Sequence, residues 1–217
     1  GVNVAKLKIT IPSFHDLSLR YQQFLVALEN GNKKRRDETK EEAEALLAHK
    51  ELVVQFEAIK ADPAFKLRVT HHDTKISNVL FDEHDKGLCV IDLDTVMPGY
   101  FISDVGDMMR TYLSPVSEEE KDISKIVVRE EFYKAVVEGY YAEMKDELSD
   151  QEKQSFLFAG KFMIYMQALR FFTDYLNDDV YYGAVYEGQN LVRAQNQLAL
   201  LQQLVQKQVV LEKSIVL

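Results

Sequence analysis

Strand-forming sequence in this chain is confined almost entirely to one short stretch. Residues 67–71, 79–82 and 88–92 are brief apolar runs, while nearly everything around them repeats its apolar residues at helical spacing. Val79-Leu80-Phe81 and Leu88-Cys89-Val90-Ile91 flank Asp82-Glu83-His84-Asp85-Lys86-Gly87, a polar turn ending in glycine, so this pair reads as a hairpin. One small β element set between long helices excludes a run of βαβ units and the doubly wound sheet they build. The chain also lacks the glycine spacings G-x-G-x-x-G and G-x-x-x-x-G-K-[ST] and the G-x-S-x-G elbow.

The helical segments have readable limits. Val4, Leu7, Ile9 and Ile11 suggest an extended start ending at Pro12. Ser13 or Asp16 can cap a helix over about 16–29, whose apolar residues Leu17, Tyr21, Phe24, Leu25 and Leu28 share a face and which Asn30-Gly31-Asn32 stops. The basic run Lys33-Lys34-Arg35-Arg36 could hold an anion, but the acidic Asp37-Glu38 after it favours a solvated junction leading into a helix to about Ala61. Further helices are expected over about 103–112, 118–145, 150–177 and 188–208, with 178–187 as the last long connection.

Charge and cysteine content exclude several classes. With 26 basic and 35 acidic side chains the formal net charge is −9, and an acidic surface repels nucleic-acid backbones. The single cysteine, Cys89, allows no internal disulfide and no multi-cysteine zinc site; its apolar neighbours mark it as a small core residue. No apolar run approaches the roughly 18 residues of a membrane span. The expectation is a soluble cytoplasmic protein without nucleic-acid or membrane partners.

The chemistry concentrates in one place. Residues 71–78 read His71-His72-Asp73-Thr74-Lys75-Ile76-Ser77-Asn78, and Ile91-Asp92-Leu93-Asp94 follows the next strand. H-x-D-x-x-x-x-N followed by an apolar strand ending in Asp is the layout of a protein-kinase catalytic loop and metal loop. An Asp must accept the proton of the attacking hydroxyl, an amide oxygen and a second Asp must hold a divalent cation across the nucleotide phosphates, and all three must reach one small volume. Lys75 can neutralise charge on the transferring group.

These residues, with Val90–Gly99 and Asp104-Val105-Gly106-Asp107, resemble the aminoglycoside phosphotransferase and choline-kinase-like superfamily. Asp-Thr-Lys at 73–75 and Ile91-Asp92-Leu93-Asp94-Thr95-Val96-Met97-Pro98-Gly99 are similar to its N-acetylhexosamine 1-kinase branch, as are Ile11–Asp16, Leu169–Leu176 and Asn190–Ala194. His72 and Ser77 stand where that branch usually carries asparagine. The resemblance covers about residues 7–207 and implies an α+β, mostly α fold: the large helical C-terminal lobe of a protein-kinase-like fold, with short β-hairpins carrying the catalytic and metal loops. Residues 1–66 would be the linker and first helices, 67–100 the catalytic and metal loops, and 101–217 the helical subdomain. The smaller ATP-binding lobe is expected to be missing from this chain, and kinase activity of the chain alone to be very weak.

The resemblance also implies roles. Asp73 would be the base, assisted by Lys75; Asn78 and Asp92 would hold Mg²⁺ against ATP; His71 would brace the loop; Asp94 would bind metal or orient a ligand. Asp104 and Asp107 either hold the catalytic loop or cap the helix that carries them. Arg170, in a helix apolar nearly all round, either pairs with Asp174 four residues on or reaches the cleft to bind a sugar. Tyr175, Tyr181, Tyr182 and Tyr186 could stack on a sugar face. The reaction implied is phosphorylation of a sugar hydroxyl, the anomeric hydroxyl of an N-acetylhexosamine. Alternatives are a non-catalytic sugar- or protein-binding module, or a kinase for choline, an aminoglycoside or homoserine. Sulfatase chemistry is excluded, because no C/S-x-P-x-R motif is present.

Overall fold

The computed structural model describes residues 3–215. Helix α1 (Leu17–Asn30) begins where the Asp16 carboxylate accepts a hydrogen bond from Leu19 N at 3.0 Å, filling one of the amides a helix start leaves unpaired. It ends at Gly31, where a Cβ would stand 2.8 Å from the Leu176 carbonyl oxygen. Asn32 N donates to that same carbonyl at 2.7 Å, so the end of α1 is tied to a distant helix.

The helix expected up to residue 61 is three helices: α2 (Lys33–Glu38), α3 (Lys40–Leu47) and α4 (Glu51–Ala61). Thr39 breaks the first, because its hydroxyl donates to Arg35 O at 2.7 Å while its backbone leaves the helical region. The basic run lies inside α2, and part of it is used internally. Arg35 pairs with Asp179 at 2.6 Å and Arg36 donates to Leu28 O at 2.8 Å.

Strand β1 (Arg68–Thr70), β2 (Val79–Phe81), β3 (Gly87–Val90) and β4 (Met97–Gly99) form two antiparallel pairs, β1 with β4 and β2 with β3. The hairpin is in register Val79↔Val90 and Leu80↔Cys89, with an irregularity before Phe81↔Gly87. Strand β4 escaped the sequence reading because Pro98-Gly99 looks like a break; the proline is tolerated in a pair with free edges. Cys89 is exposed, which corrects its reading as a core residue. A two-stranded ribbon has no second layer, and all four residues of β3 are open to solvent.

Helices α5 (Phe101–Tyr112), α6 (Glu130–Met144), α7 (Asp150–Lys153), α8 (Phe156–Leu176), α9 (Gln189–Gln206) and α10 (Gln208–Lys213) complete the described chain. The helix expected over 118–145 starts only at residue 130. Arg129 closes the end of α5 by donating to the carbonyls of Tyr112 and Leu113, and 113–129 wraps over that end instead of coiling. Helix α8 is the axis of the core, packed against α1, α5 and α9. Phe24 meets Phe172 edge-on at 6.0 Å, and Phe56 stacks on Phe162 at 5.1 Å. Each such buried ring contributes about 1.5–3 kcal/mol. Helix α5 comes close to α8 at Gly106, where any Cβ would collide with Ala159 O and Met163. That contact fixes the helix beneath the segment 71–78. No described helix is long and apolar enough to cross a membrane.

Candidate active site

The segment 71–78 follows β1 and crosses the start of α5, whose two aspartates hold it from below. The Asp104 carboxylate accepts hydrogen bonds from His71 N at 2.9 Å and His72 N at 2.7 Å. The Asp107 carboxylate accepts Thr74 N at 2.8 Å, and the Tyr112 hydroxyl donates to Thr74 O. Neither aspartate caps α5; the cap position is Tyr100 and makes no side-chain bond. Burial pushes Asp104 up to about 6, although the two backbone amides pull it down. His72 sits in the left-handed region at φ 67°, a conformation uncommon for any residue other than glycine and one that three anchored amides can hold. Its ring packs over Gly99, where a Cβ would lie 2.7 Å from the ring Cε1.

The loop is tied from above as well. His71 Nε2 lies 3.0 Å from Ile91 O, and its Nδ1 accepts Asp73 N at 3.2 Å. With Nδ1 accepting, Nε2 carries the proton and donates to Ile91 O. Thr95 Oγ1 donates to His71 O at 2.6 Å, and Ile91 N donates to Asn78 O at 2.9 Å. The segment 71–78 and the segment after β3 are thereby one unit, with Asn78 and Asp92 at neighbouring ends of the hairpin.

Asp73 is oriented through one oxygen. Its Oδ2 accepts from Lys75 Nζ at 2.8 Å and from Asn78 Nδ2 at 2.9 Å, while Oδ1 accepts no hydrogen bond from the described residues. The bond to Asp73 raises the Lys75 ammonium above its ordinary value, so it stays charged. Asn78 is buried and spends its amide nitrogen on Asp73, which leaves Oδ1 without a donor among the described residues. Asp92 takes the left-handed conformation, φ 61° and ψ 59°, and its exposed carboxylate is bound to no described residue. Asp94, two residues on, is exposed and likewise unbonded among the described residues. Two unspent hard oxygens fit a Mg²⁺ ion whose remaining ligands are phosphate and water. No group of three His, Cys, Asp or Glu among the described residues could hold a metal by itself.

The other site residues from the sequence do not form one cluster. Asp174 does not pair with Arg170. Both its oxygens are occupied, by Tyr181 N at 2.7 Å and Tyr182 N at 2.9 Å, because the chain turns back over the end of α8. Tyr175 is buried under the Arg35 guanidinium, 4.5 Å from its ring centre, and Tyr186 lies under Lys121. Arg170 instead enters an aromatic wall, 5.4 Å from the ring centres of both Phe14 and Tyr182, and donates to Gln167 Oε1 at 3.1 Å.

Sequence reasoning missed an ionic chain that joins these two regions. Arg110 bridges Asp107 at 3.0 Å and Glu118 at 2.9 Å; Glu118 also binds Arg193, and Arg193 donates to Asn190 at 3.2 Å. Burial works against the Arg110 charge, but the two carboxylates outweigh it and raise its pKa. The Asn190 amide then reaches Asp174 at 3.1 Å. The spacing Asp107–Arg110 was visible as an i,i+3 pair; Glu118 and Arg193 are distant in sequence and gave no signal.

The sequence and the fold have counterparts among known proteins. The phosphotransferase enzyme family (APH) matches residues 10–146, more than half of the chain. The chain belongs to that family. The chain is also similar in structure to a choline kinase from Cryptosporidium parvum Iowa II, at a TM-score of 0.52 and 14% identity. The match covers 97% of this chain and 62% of the choline kinase, so the chain spans less than two thirds of that protein's length. At that identity the likeness establishes a kinase-like fold, in which this chain is the helical part with its short hairpins.

Proposed function

We propose that the phosphotransferase moves the γ-phosphoryl group of ATP to a sugar hydroxyl, the anomeric hydroxyl of an N-acetylhexosamine. The observation that carries this reading is the state of Asp73. One of its oxygens is fixed by Lys75 and Asn78, and the other accepts no hydrogen bond from the described residues, on a loop whose backbone amides are held by Asp104 and Asp107. The acceptor hydroxyl gives its proton to Asp73 Oδ1 as its oxygen bonds to phosphorus, and the bond from phosphorus to the bridging oxygen of ADP breaks. Lys75, fixed beside Asp73, offsets negative charge on the transferring group. Asn78 Oδ1 and the Asp92 carboxylate would hold Mg²⁺, which when bound neutralises phosphate charge. Asp94 would orient water or a phosphate near that ion.

Arg170 is the proposed sugar-side contact, set in its aromatic wall with Tyr181, while Asp174 supports that wall by fixing the Tyr181–Tyr182 backbone. Tyr175 would support it indirectly, through Arg35 and Asp179. The test is a reaction with enzyme in excess over N-acetylglucosamine, Mg²⁺ and ATP, read by ³¹P NMR so that slow transfer still registers. A sugar 1-phosphate resonance is the expected product. Its absence, with choline phosphate formed in a parallel reaction, overturns the sugar reading.

A further inference from the structure

A cavity of about 430 Å³ lies between α1 and the C-terminal half of α8, bounded by Tyr181 and Tyr182. It shares no lining residue with the cavity that holds Asp73 and Lys75. Its charged lining residues are Arg20, Arg170 and Asp174. The two guanidiniums differ from every other arginine of the described chain. Arg35, Arg68, Arg110 and Arg193 pair with carboxylates. Arg36 and Arg129 donate to the closing carbonyls of α1 and α5, the negative ends of those helices. Arg20 and Arg170 have neither kind of partner among the described residues.

Both bond neutral groups instead. Arg20 donates to Gln23 Oε1 at 3.0 Å and to the carbonyls of Ser13 and Phe14 at 3.1 and 3.2 Å. Arg170 donates to Gln167 Oε1 at 3.1 Å and to the Tyr181 hydroxyl at 3.3 Å. That leaves its Nε–H and one hydrogen on each terminal nitrogen unspent among the described residues. Asp174 does not pair with them, because its oxygens accept Tyr181 N, Tyr182 N and Asn190 Nδ2. Burial and, after it, the charge of Arg170 lower the Arg20 pKa, as two like charges held close together do. Two cations against one carboxylate give the wall a net charge of +1, in a chain whose net charge is −9. The rest of the wall includes apolar surface that solvent reaches, on Val26 and on the Tyr181 ring.

We infer that this cavity is a binding site, separate from the phosphotransfer site, for a small monocarboxylate with a compact aromatic or apolar body. The carboxylate takes the unspent donors of Arg170, with the Arg20 charge beside them, and the body lies against Tyr181 and Val26. A guanidinium fork matches a carboxylate with two parallel, charge-assisted hydrogen bonds, roughly twice as strong as neutral ones. A neutral molecule of the same shape leaves both cations unmatched. Inorganic phosphate leaves the apolar surface uncovered, and its second charge exceeds the single net charge of the wall. This assignment goes beyond the proposed reaction and needs no phosphoryl transfer. Arg170 and Tyr181 also belong to the proposed acceptor wall, so competition with the sugar decides whether the two sites are one.

The test is calorimetric titration of the full chain with benzoate, with benzamide as its uncharged counterpart and with inorganic phosphate, for the wild type and Arg20→Gln. Benzoate is expected to bind the wild type at least about tenfold more tightly than benzamide or phosphate, and about tenfold or more weakly in Arg20→Gln. The Nε–H resonance of Arg170 is followed in the wild-type titration, so the result does not depend on the variant folding; it should shift with benzoate and stay still with benzamide. Benzamide or phosphate binding as tightly as benzoate, an unchanged constant in a folded Arg20→Gln, or an Arg170 resonance that benzoate does not move would overturn the inference. So would displacement of benzoate by N-acetylglucosamine, which would make the cavity part of the acceptor site. Benzoate binding in a chain that transfers no phosphate to any sugar would overturn the proposed reaction and leave this site standing.

Discussion

Replacing Asp104 with asparagine separates what this carboxylate does for folding from what it does for the catalytic loop. In the wild type it accepts two backbone amides, at 2.9 and 2.7 Å. Hydrogen bonds to a charged acceptor stabilise by about 1.5–3 kcal/mol each. Burial of the charge outweighs them, and the net of the two is a pKa of about 6 where 3.8 is usual. That displacement corresponds to about 3 kcal/mol. Asparagine removes the charge and keeps one acceptor, but turns an N–H donor toward the other amide. The amide left without an acceptor costs about 1–3 kcal/mol and the relieved net charge penalty returns about 3, so the net change in stability at neutral pH is expected within about 2 kcal/mol, in the stabilising direction.

The pH dependence gives a sharper sign. The folded pKa lies above the unfolded one, so between roughly pH 4 and 6 the folded state binds more protons, and this group's contribution to stability falls as pH rises. The wild type should therefore lose up to about 3 kcal/mol relative to Asp104→Asn across that window, measured by urea unfolding at each pH. The loop is affected differently. With one of the His71 and His72 amides unheld, Asp73 shifts, and transfer should drop about a hundredfold, as misplacement of about 1 Å does elsewhere. A wild type whose stability relative to the variant stays flat or rises between pH 4 and 6 would refute the reasoning about burial. Unchanged transfer would refute the positioning role.

Two further outcomes follow from packing and charge. Gly106→Ala should lower stability by at least about 2 kcal/mol in thermal unfolding, because the added methyl meets Ala159 O and Met163 across the α5–α8 contact. Glu152→Ala should cost about 3–5 kcal/mol in denaturant unfolding, since this fully buried carboxylate pairs with Arg68 and accepts the amides of Lys66 and Ser149.

Much of this site was legible in the sequence because its parts are local. His71, Asp73, Lys75 and Asn78 lie within one loop, and Asp92 follows one hairpin later, so spacing alone placed them together. Asp104 and Asp107 were recognisable candidates, although spacing could not tell a loop anchor from a helix cap; the direction of the His71 and Thr74 amides decides that. What the sequence hid is what depends on long-range closure. Asp174 looked like the partner of Arg170 by helical spacing, but the returning turn at 181–182 takes its oxygens first. Glu118 read as the start of a helix, and only the approach of α9 makes it the hub between Arg110 and Arg193. Cys89 looked buried because its neighbours are apolar, yet a two-stranded ribbon gives them no layer to pack against among the described residues.

In the proposed reaction Asp73 is the base that receives the acceptor proton. The most direct measurement is the single-turnover rate of phosphoryl transfer from Mg·ATP to N-acetylglucosamine for the wild type and Asp73→Asn, with ATP binding measured on both. A loss of about 10²–10⁴ in rate with ATP binding retained is expected if Asp73 is that base. An Asp73→Asn protein that transfers phosphate at the wild-type rate would contradict it.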